Sequence, residues 1–225
     1  MNRIVLSLAG FLMCLAASHV HAGAWPRGKG KTFGASAATF TWPDQREPQF
    51  PDIYGSTYLE HGIAPRLTMG LDIGTPDAKR LNRLKSVAFL RFTLTANDAP
   101  FQVAVDGGGG HYRDTNVTRF GLSYGIGFKT LKKDSWISVN AHTLQAVADD
   151  RAAYALDATY GISLKHGKIM GQISAFQAFD EIQSISFTPA YAHRLGKSTH
   201  LEVGVVLGIR GKPDPALKIG IWQEF

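Results

Sequence analysis

A side-chain alternation of period two recurs along this chain and limits what it can fold into. Leu67, Met69, Leu71 and Ile73 alternate with Thr68, Gly70, Asp72 and Gly74. Phe120, Leu122, Tyr124, Ile126 and Phe128 alternate with Arg119, Gly121, Ser123, Gly125, Gly127 and Lys129. The same pattern runs through Ile137–Ala141, Tyr154–Leu164 and Leu201–Ile209. Successive side chains of a strand point to opposite faces, so each segment is a strand with one apolar face. A helix would place its apolar residues three and four apart, and these segments do not. Weaker versions cover 88–95, 101–106, 169–178, 185–194 and 217–225, while 33–42 and 57–62 are strands whose facing the pattern leaves open. Turn-formers separate them, among them Gly62-Ile63-Ala64-Pro65, Lys132-Lys133-Asp134 and His166-Gly167-Lys168. Twelve strands result, or ten if one hairpin is miscounted.

Alternation suits both a soluble sandwich, apolar inward, and a membrane barrel, apolar outward. The polar face decides between them. It carries Gly70, Gly74, Gly121, Gly125, Gly127, Gly161, Gly204, Gly208 and Gly220. Glycine weakens an open sheet surface but suits a curved wall with a crowded interior. The apolar face is free of charge in the clear strands, as a lipid-facing wall requires. Mean hydropathy is −0.07, which excludes a bundle of membrane helices. The expected fold is therefore all-β, an antiparallel up-and-down transmembrane β-barrel of about twelve strands.

The chain starts Met1-Asn2-Arg3, continues with fourteen uncharged residues from Ile4 to Ala17, and offers Val20 and Ala22 at −3 and −1 of a cleavage site. This is a secretory signal peptide over 1–22, with the barrel occupying 23–225. The single Cys, Cys14, lies in that leader, and Phe11-Leu12-Met13 before it lacks the small residue of a lipobox. The exported part thus has no disulfide to rely on and must bury apolar surface in a core or in lipid. Its 23 Lys and Arg (24 less Arg3) outnumber 18 Asp and Glu, but they are scattered, with no basic stripe for nucleic acid.

If Phe225 ends inside the periplasm, connections near 62–66, 96–100, 131–135, 166–168 and 195–200 share its side. Those near 43–52, 75–86, 107–117, 145–153, 179–184 and 211–216 lie outside and are mostly longer, as bacterial barrels require. Aromatics fall near the expected rims, with Phe128, Tyr191 and Phe225 at one, and Tyr154 and Trp42 at the other. The pieces Gly23-Ala24-Trp25-Pro26-Arg27, Gly62–Asp72 (GIAPRLTMGLD) and Leu217–Phe225 (LKIGIWQEF) resemble a loosely defined set of proteobacterial outer-membrane barrel proteins. In the last piece Leu217, Ile219, Ile221 and Phe225 share one face. This terminal-Phe strand resembles the signal read by the barrel-assembly machinery, with Ile219, Ile221 and Phe225 its core. Gln223 breaks the alternation and Trp222 falls on the other face. The resemblance implies a barrel in the outer membrane of a Gram-negative bacterium, with outer-membrane lipid around it, and carries over no catalytic residue.

No enzymatic constellation emerges. Ser138, Asn140 and His142 share a face, as hydrolytic residues on a barrel wall would, but four strand residues span roughly 13 Å, too far for a nucleophile and base to meet, and they point inward. Metal-ligand spacing is absent, and no cofactor is implied. Gly107–Gly110 lacks the Gly-Lys-Ser/Thr ending of a phosphate loop and reads as an outer loop or rim bend. What stands out is the expected lumen lining: Asp72, Arg91, Asp106, Arg119, Lys129, Asn140, His142, Asp157, Lys165, Glu202, Arg210 and Lys218. Six cations against four carboxylates suggest a narrow pore for passive passage of small polar solutes, with a slight preference for anions. The alternatives are a plugged structural or surface-binding barrel, an outer-membrane hydrolase, and a soluble periplasmic β-protein.

Overall fold

A computed structural model describes residues 23–42, 51–75, 84–179, 183–211 and 214–225. The leader over 1–22 lies outside the described residues, as do parts of the expected connections at 43–52, 75–86, 179–184 and 211–216. Twelve strands form one closed sheet: β1 (Thr32–Thr41), β2 (Asp52–Ala64), β3 (Leu67–Thr75), β4 (Lys85–Thr93), β5 (Phe101–Tyr112), β6 (Thr115–Thr130), β7 (Lys133–Ala146), β8 (Ala152–Leu164), β9 (Gly167–Gln177), β10 (Ser184–Arg194), β11 (Thr199–Arg210) and β12 (Ala216–Glu224). Each pairs antiparallel with its sequence neighbours, and β1 closes on β12. The seam runs from Phe33↔Glu224 to Thr41↔Ala216, and Thr32 and Phe225 exchange backbone hydrogen bonds at its end. Closure leaves no sheet edge with unpaired backbone groups, the condition for a sheet to stand in hydrocarbon.

The alternation maps onto an inside-out molecule. On β6, Phe120 and Leu122 are 62% and 54% exposed, while Arg119 and Ser123 are buried. On β11, Leu201, Val203, Val205, Leu207 and Ile209 face out, and His200 and Glu202 face in. An apolar exterior this continuous would aggregate in water, which removes the soluble sandwich. A strand spacing of ~4.8 Å and a tilt of ~40° place the Cα wall of twelve strands about 12 Å from the axis, wide enough for an interior beyond packed side chains.

One end carries tight turns at 65–66, 131–132 and 165–166, together with Phe225; this is the turn end. Leu131 and Lys132 both have positive φ, 52° and 62°, the conformation of a two-residue hairpin turn whose twist matches the strands. The expected outer connection at 107–117 shrinks to Arg113-Asp114, and Gly107–Gly110 is not a loop. These glycines are the middle of β5, paired with Val87–Leu90 and Val117–Phe120. A Cβ on Gly108 or Gly110 would lie 2.0 Å from the carbonyl oxygen of Ala88 or Ser86. Four glycines carry no alternating side chains, so a true strand gives no period-two signal there.

Candidate functional site

The interior is divided by residues 23–27. Residues 23–27 run inside the barrel, then turn at 28–31 to enter β1. Gly30 N donates to Gly62 O at 2.8 Å and Gly62 N donates to Lys31 O at 2.9 Å. Gly62 is required for this hook, because a Cβ there would lie 2.2 Å from Gly28 O and 2.5 Å from Arg27 O. Further in, Trp25 fills the space over Gly125, where a Cβ would lie 2.5 Å from its ring, and packs toward Trp136, Met170 and Ala192 across the lumen. Gly23 is deepest, against Asn140 Oδ1. Replacing Gly62 with Ala therefore works against a backbone, not a movable side chain. Gly62→Ala should cost about 1–3 kcal/mol and release the segment, read as faster proteolysis at 23–31 in the folded barrel; unchanged protection would refute the hook.

A ladder of alternating charge holds this segment to the wall formed by β2–β6. Glu60, fully buried on β2, accepts from Arg27 Nε at 2.6 Å, from Tyr58 Oη at 2.7 Å, and from Arg91 Nη1. Arg91 on β4 also donates to Gly23 O at 2.8 Å and reaches Asp106 Oδ2 at 3.5 Å. Asp106 on β5 accepts from Arg119 Nε at 2.7 Å. Arg119 on β6 reaches Asp72 Oδ2 at 3.4 Å, and Lys85 Nζ donates to that carboxylate at 2.8 Å. Phe89 lies under both guanidiniums, 5.1 Å from Arg91 and 4.6 Å from Arg119, an arrangement that favours cations over its face. Four cations and three carboxylates thus neutralise one another almost completely. Buried charges persist only when paired and hydrogen-bonded in this way.

Two smaller clusters stand elsewhere on the wall. Glu202 accepts from Lys218 Nζ at 2.9 Å and from Trp222 Nε1 at 2.8 Å. Asp157 accepts from Gln172 Nε2 at 2.9 Å and Ser174 Oγ at 2.6 Å.

Of the residues expected in the lumen, Asp72, Arg91, Arg119, Asn140, His142, Asp157, Glu202 and Lys218 line a single central cavity of about 400 Å³. Asp106 is buried in the ladder behind it. Lys129 lines the second cavity, at the turn end. Arg210 is exposed at the last position of β11, away from both cavities. Lys165 is corrected: β8 ends at Leu164, so Lys165 is an exposed turn residue with no inward face. Ile219, Ile221 and Phe225, expected as an assembly signal, are exposed on the outer surface along the β1–β12 seam. Ser138, Asn140 and His142 all line the central cavity, so they face polar space, not lipid. Among the described residues, no group of three or more His, Cys, Asp or Glu is placed to hold a metal ion.

Sequence reasoning missed Glu60 and Arg27, which carry the ladder. Glu60 stands on the segment whose facing the pattern left open, and Arg27 precedes the first strand altogether. It also missed Trp25 and Trp136 in the aromatic lining, to which Trp222, on the face opposite Ile219 and Ile221, also belongs.

The turn-end cavity measures about 900 Å³ and has a different character. Lys129, Lys132, Lys133, Lys168, Arg194 and Lys197 line it against Asp98, Asp134 and Glu224. Gly23 lines the central cavity and Trp25 the turn-end one, so the 23–27 segment is the partition between them.

No family model and no curated protein matches the sequence. Solved structures do match it. A structure of the KdgM porin aligns with a TM-score of 0.61 at 11% identity, over 86% of this chain and 99% of that one. The COG4313 outer membrane channel from Pseudomonas putida F1 aligns with a TM-score of 0.54 at 10% identity, over 92% and 100%. This chain shares their fold. The KdgM porin in complex with disordered oligogalacturonate aligns with a TM-score of 0.58, over 87% and 99%. These neighbours are named as porins and a channel, none as an enzyme. At such low identity the likeness is one of backbone architecture, and the lining residues must be argued from this chain's own geometry.

Proposed function

We propose that this chain is an outer-membrane channel of a Gram-negative bacterium, passing small polar solutes passively, with a preference for anions. The observation that carries this reading is the inside-out barrel: an apolar exterior around two polar cavities, with residues 23–27 and Trp136 between them. Lipid would surround the exterior, and the turn end would face the periplasm with Phe225, where the barrel-assembly machinery meets the last strand. Kinship with the proteobacterial barrel set rests on the Gly62–Asp72 hairpin and the terminal strand. The charge ladder and the two smaller clusters support a structural role for the interior carboxylates, not a catalytic one. The neighbours' names favour transport, and the KdgM porin's complex with oligogalacturonate is in keeping with an anionic solute.

Cleavage after Ala22 belongs to the same reading. It would place the new α-ammonium of Gly23 in the lumen beside Asn140 Oδ1, a buried acceptor with no hydrogen-bond partner. The test is recovery from cells: heat-modifiable protein in the outer-membrane fraction, with a mass beginning at Gly23. In planar bilayers it should give small unitary steps, with a reversal potential displaced toward that of the anion under a salt gradient. The partition supports a second reading, a closed barrel, and that reading wins if folded protein inserts but gives no steps. Recovery in the soluble periplasm would overturn both.

A further inference from the structure

The ladder neutralises the β2–β6 wall, but the opposite wall at the turn end is not neutralised. Lys168, the second residue of β9, is 3% exposed and lines the turn-end cavity. Its Nζ lies 5.3 Å from the centre of the Trp136 ring. Among the described residues it makes no ion pair and no hydrogen bond with any carboxylate. His200, 5% exposed on β11, lines the same cavity, and its Nε2 is buried without a partner. Arg194 pairs with His200 across the β10–β11 ladder and Lys168 with Ala192 across β9–β10, so the three stand on adjacent strands of one wall. Glu224 lines this cavity too and attracts Lys168 through space, but it makes no close ion pair with any of them and its Oε1 is likewise unpartnered.

A lysine removed from water without a counter-ion is expensive, and so is a buried nitrogen with no partner. Other interior cations of this barrel, Arg27, Lys85, Arg91, Arg119 and Lys218, have carboxylates. The exception opens onto a basic vestibule with aromatic faces beside it. We propose that Lys168, Arg194 and His200 form an oxyanion subsite at the turn-end mouth. It takes the carboxylate or phosphate group of a passing solute, with Trp136 beside it to receive that solute's flat or apolar part. The subsite deepens the channel reading and supplies its anion preference: the ladder carries almost no net charge, whereas this wall offers cations with nothing bound to them. Charge-assisted hydrogen bonds to an oxyanion are the strong ones.

The experiment is a direct titration of the refolded full barrel in detergent, read by tryptophan fluorescence because Trp136 adjoins Lys168. Inorganic phosphate and acetate are added in separate arms at constant ionic strength. A saturable change in either arm is expected, and the tighter arm identifies the group preferred. Lys168→Met should weaken it about tenfold or more, the loss of one charge-assisted bond, and Lys168→Arg should restore most of it. Glu224→Gln should tighten it by removing a competing carboxylate. Lys165→Gln, on an exposed turn outside both cavities, should leave it unchanged. The subsite is overturned by a linear response, by equal titration of wild type and Lys168→Met, or by equal weakening in Lys165→Gln, which would mark general screening. Heat-modifiable migration confirms that each variant is folded. Binding in detergent does not depend on conductance, so failure of the subsite and failure of the channel are separately visible.

Discussion

Replacing Glu60 with alanine should destabilise the folded barrel by about 3–5 kcal/mol, the cost of leaving buried charge uncompensated. Glu60 is the meeting point of two guanidiniums and a phenol, Arg27, Arg91 and Tyr58, and its side chain is wholly out of contact with solvent. Removing it leaves two cations facing each other in a site that water reaches poorly. Glu60→Gln keeps an acceptor and the volume, so it should cost less than Glu60→Ala but more than a surface change. The measurement is urea unfolding of the protein in lipid vesicles, followed by heat-modifiable migration. A shift within ~0.5 kcal/mol, the range of substitutions on an ordinary surface, would mean the ladder does not hold the wall. The double variant Glu60→Gln with Arg91→Gln should recover part of the loss, because charge and counter-charge leave together.

Removing residues 23–28 should turn two cavities into one continuous lumen. These residues supply Gly23, which lines the central cavity, Trp25, which lines the turn-end one, and Arg27, which ties the segment to Glu60. Without them the wall is still closed, since Thr32 and Phe225 seal the seam beyond the deleted stretch. Produced from Thr32 backwards to Lys29 and refolded, the shortened barrel should insert in planar bilayers with unitary conductance several times that of the full-length barrel. Its anion preference should remain, because the basic turn-end wall is untouched. Equal conductance would show that residues 23–28 do not limit the path. Loss of folding is the competing outcome, and the Trp25→Ala variant meets it: this keeps the Arg27–Glu60 bond while removing the largest obstructing side chain, and should also raise conductance.

How much of this was legible in advance depends on what each residue does to the local pattern. Strands β6, β8 and β11 announce themselves because an apolar exterior and a polar interior impose opposite chemistry on alternate positions. The central stretch of β5 does not, because Gly107–Gly110 has no side chains to alternate. Facing was readable wherever one side was purely apolar, which is why Asp72, Arg119, Asp157, Glu202 and Lys218 were expected inside and line the central cavity. Lys165 followed the same parity by one residue too many, since a pattern cannot tell the last strand residue from the first turn residue. Glu60 stands between Leu59 and His61 on a strand with Tyr58 and Tyr54, where aromatic and polar residues mix and the parity is unreadable.

The sequence by itself determined the kind of sheet, its antiparallel order and which face is the apolar exterior. Those depend on a repulsion between polar groups and hydrocarbon that acts residue by residue and leaves its mark at every second position. Closure at twelve strands was within reach of that count, because the connections at one end are mostly shorter than those at the other. Only the tertiary structure decided that residues 23–27 fold back into the lumen. No local pattern encodes it: the segment is held by partners 33 and 68 residues away, Glu60 to Arg27 and Arg91 to Gly23. The same holds for which cations find carboxylates and which, like Lys168, do not. Pairing is a matter of register across strands, and one chain's order of residues does not display it.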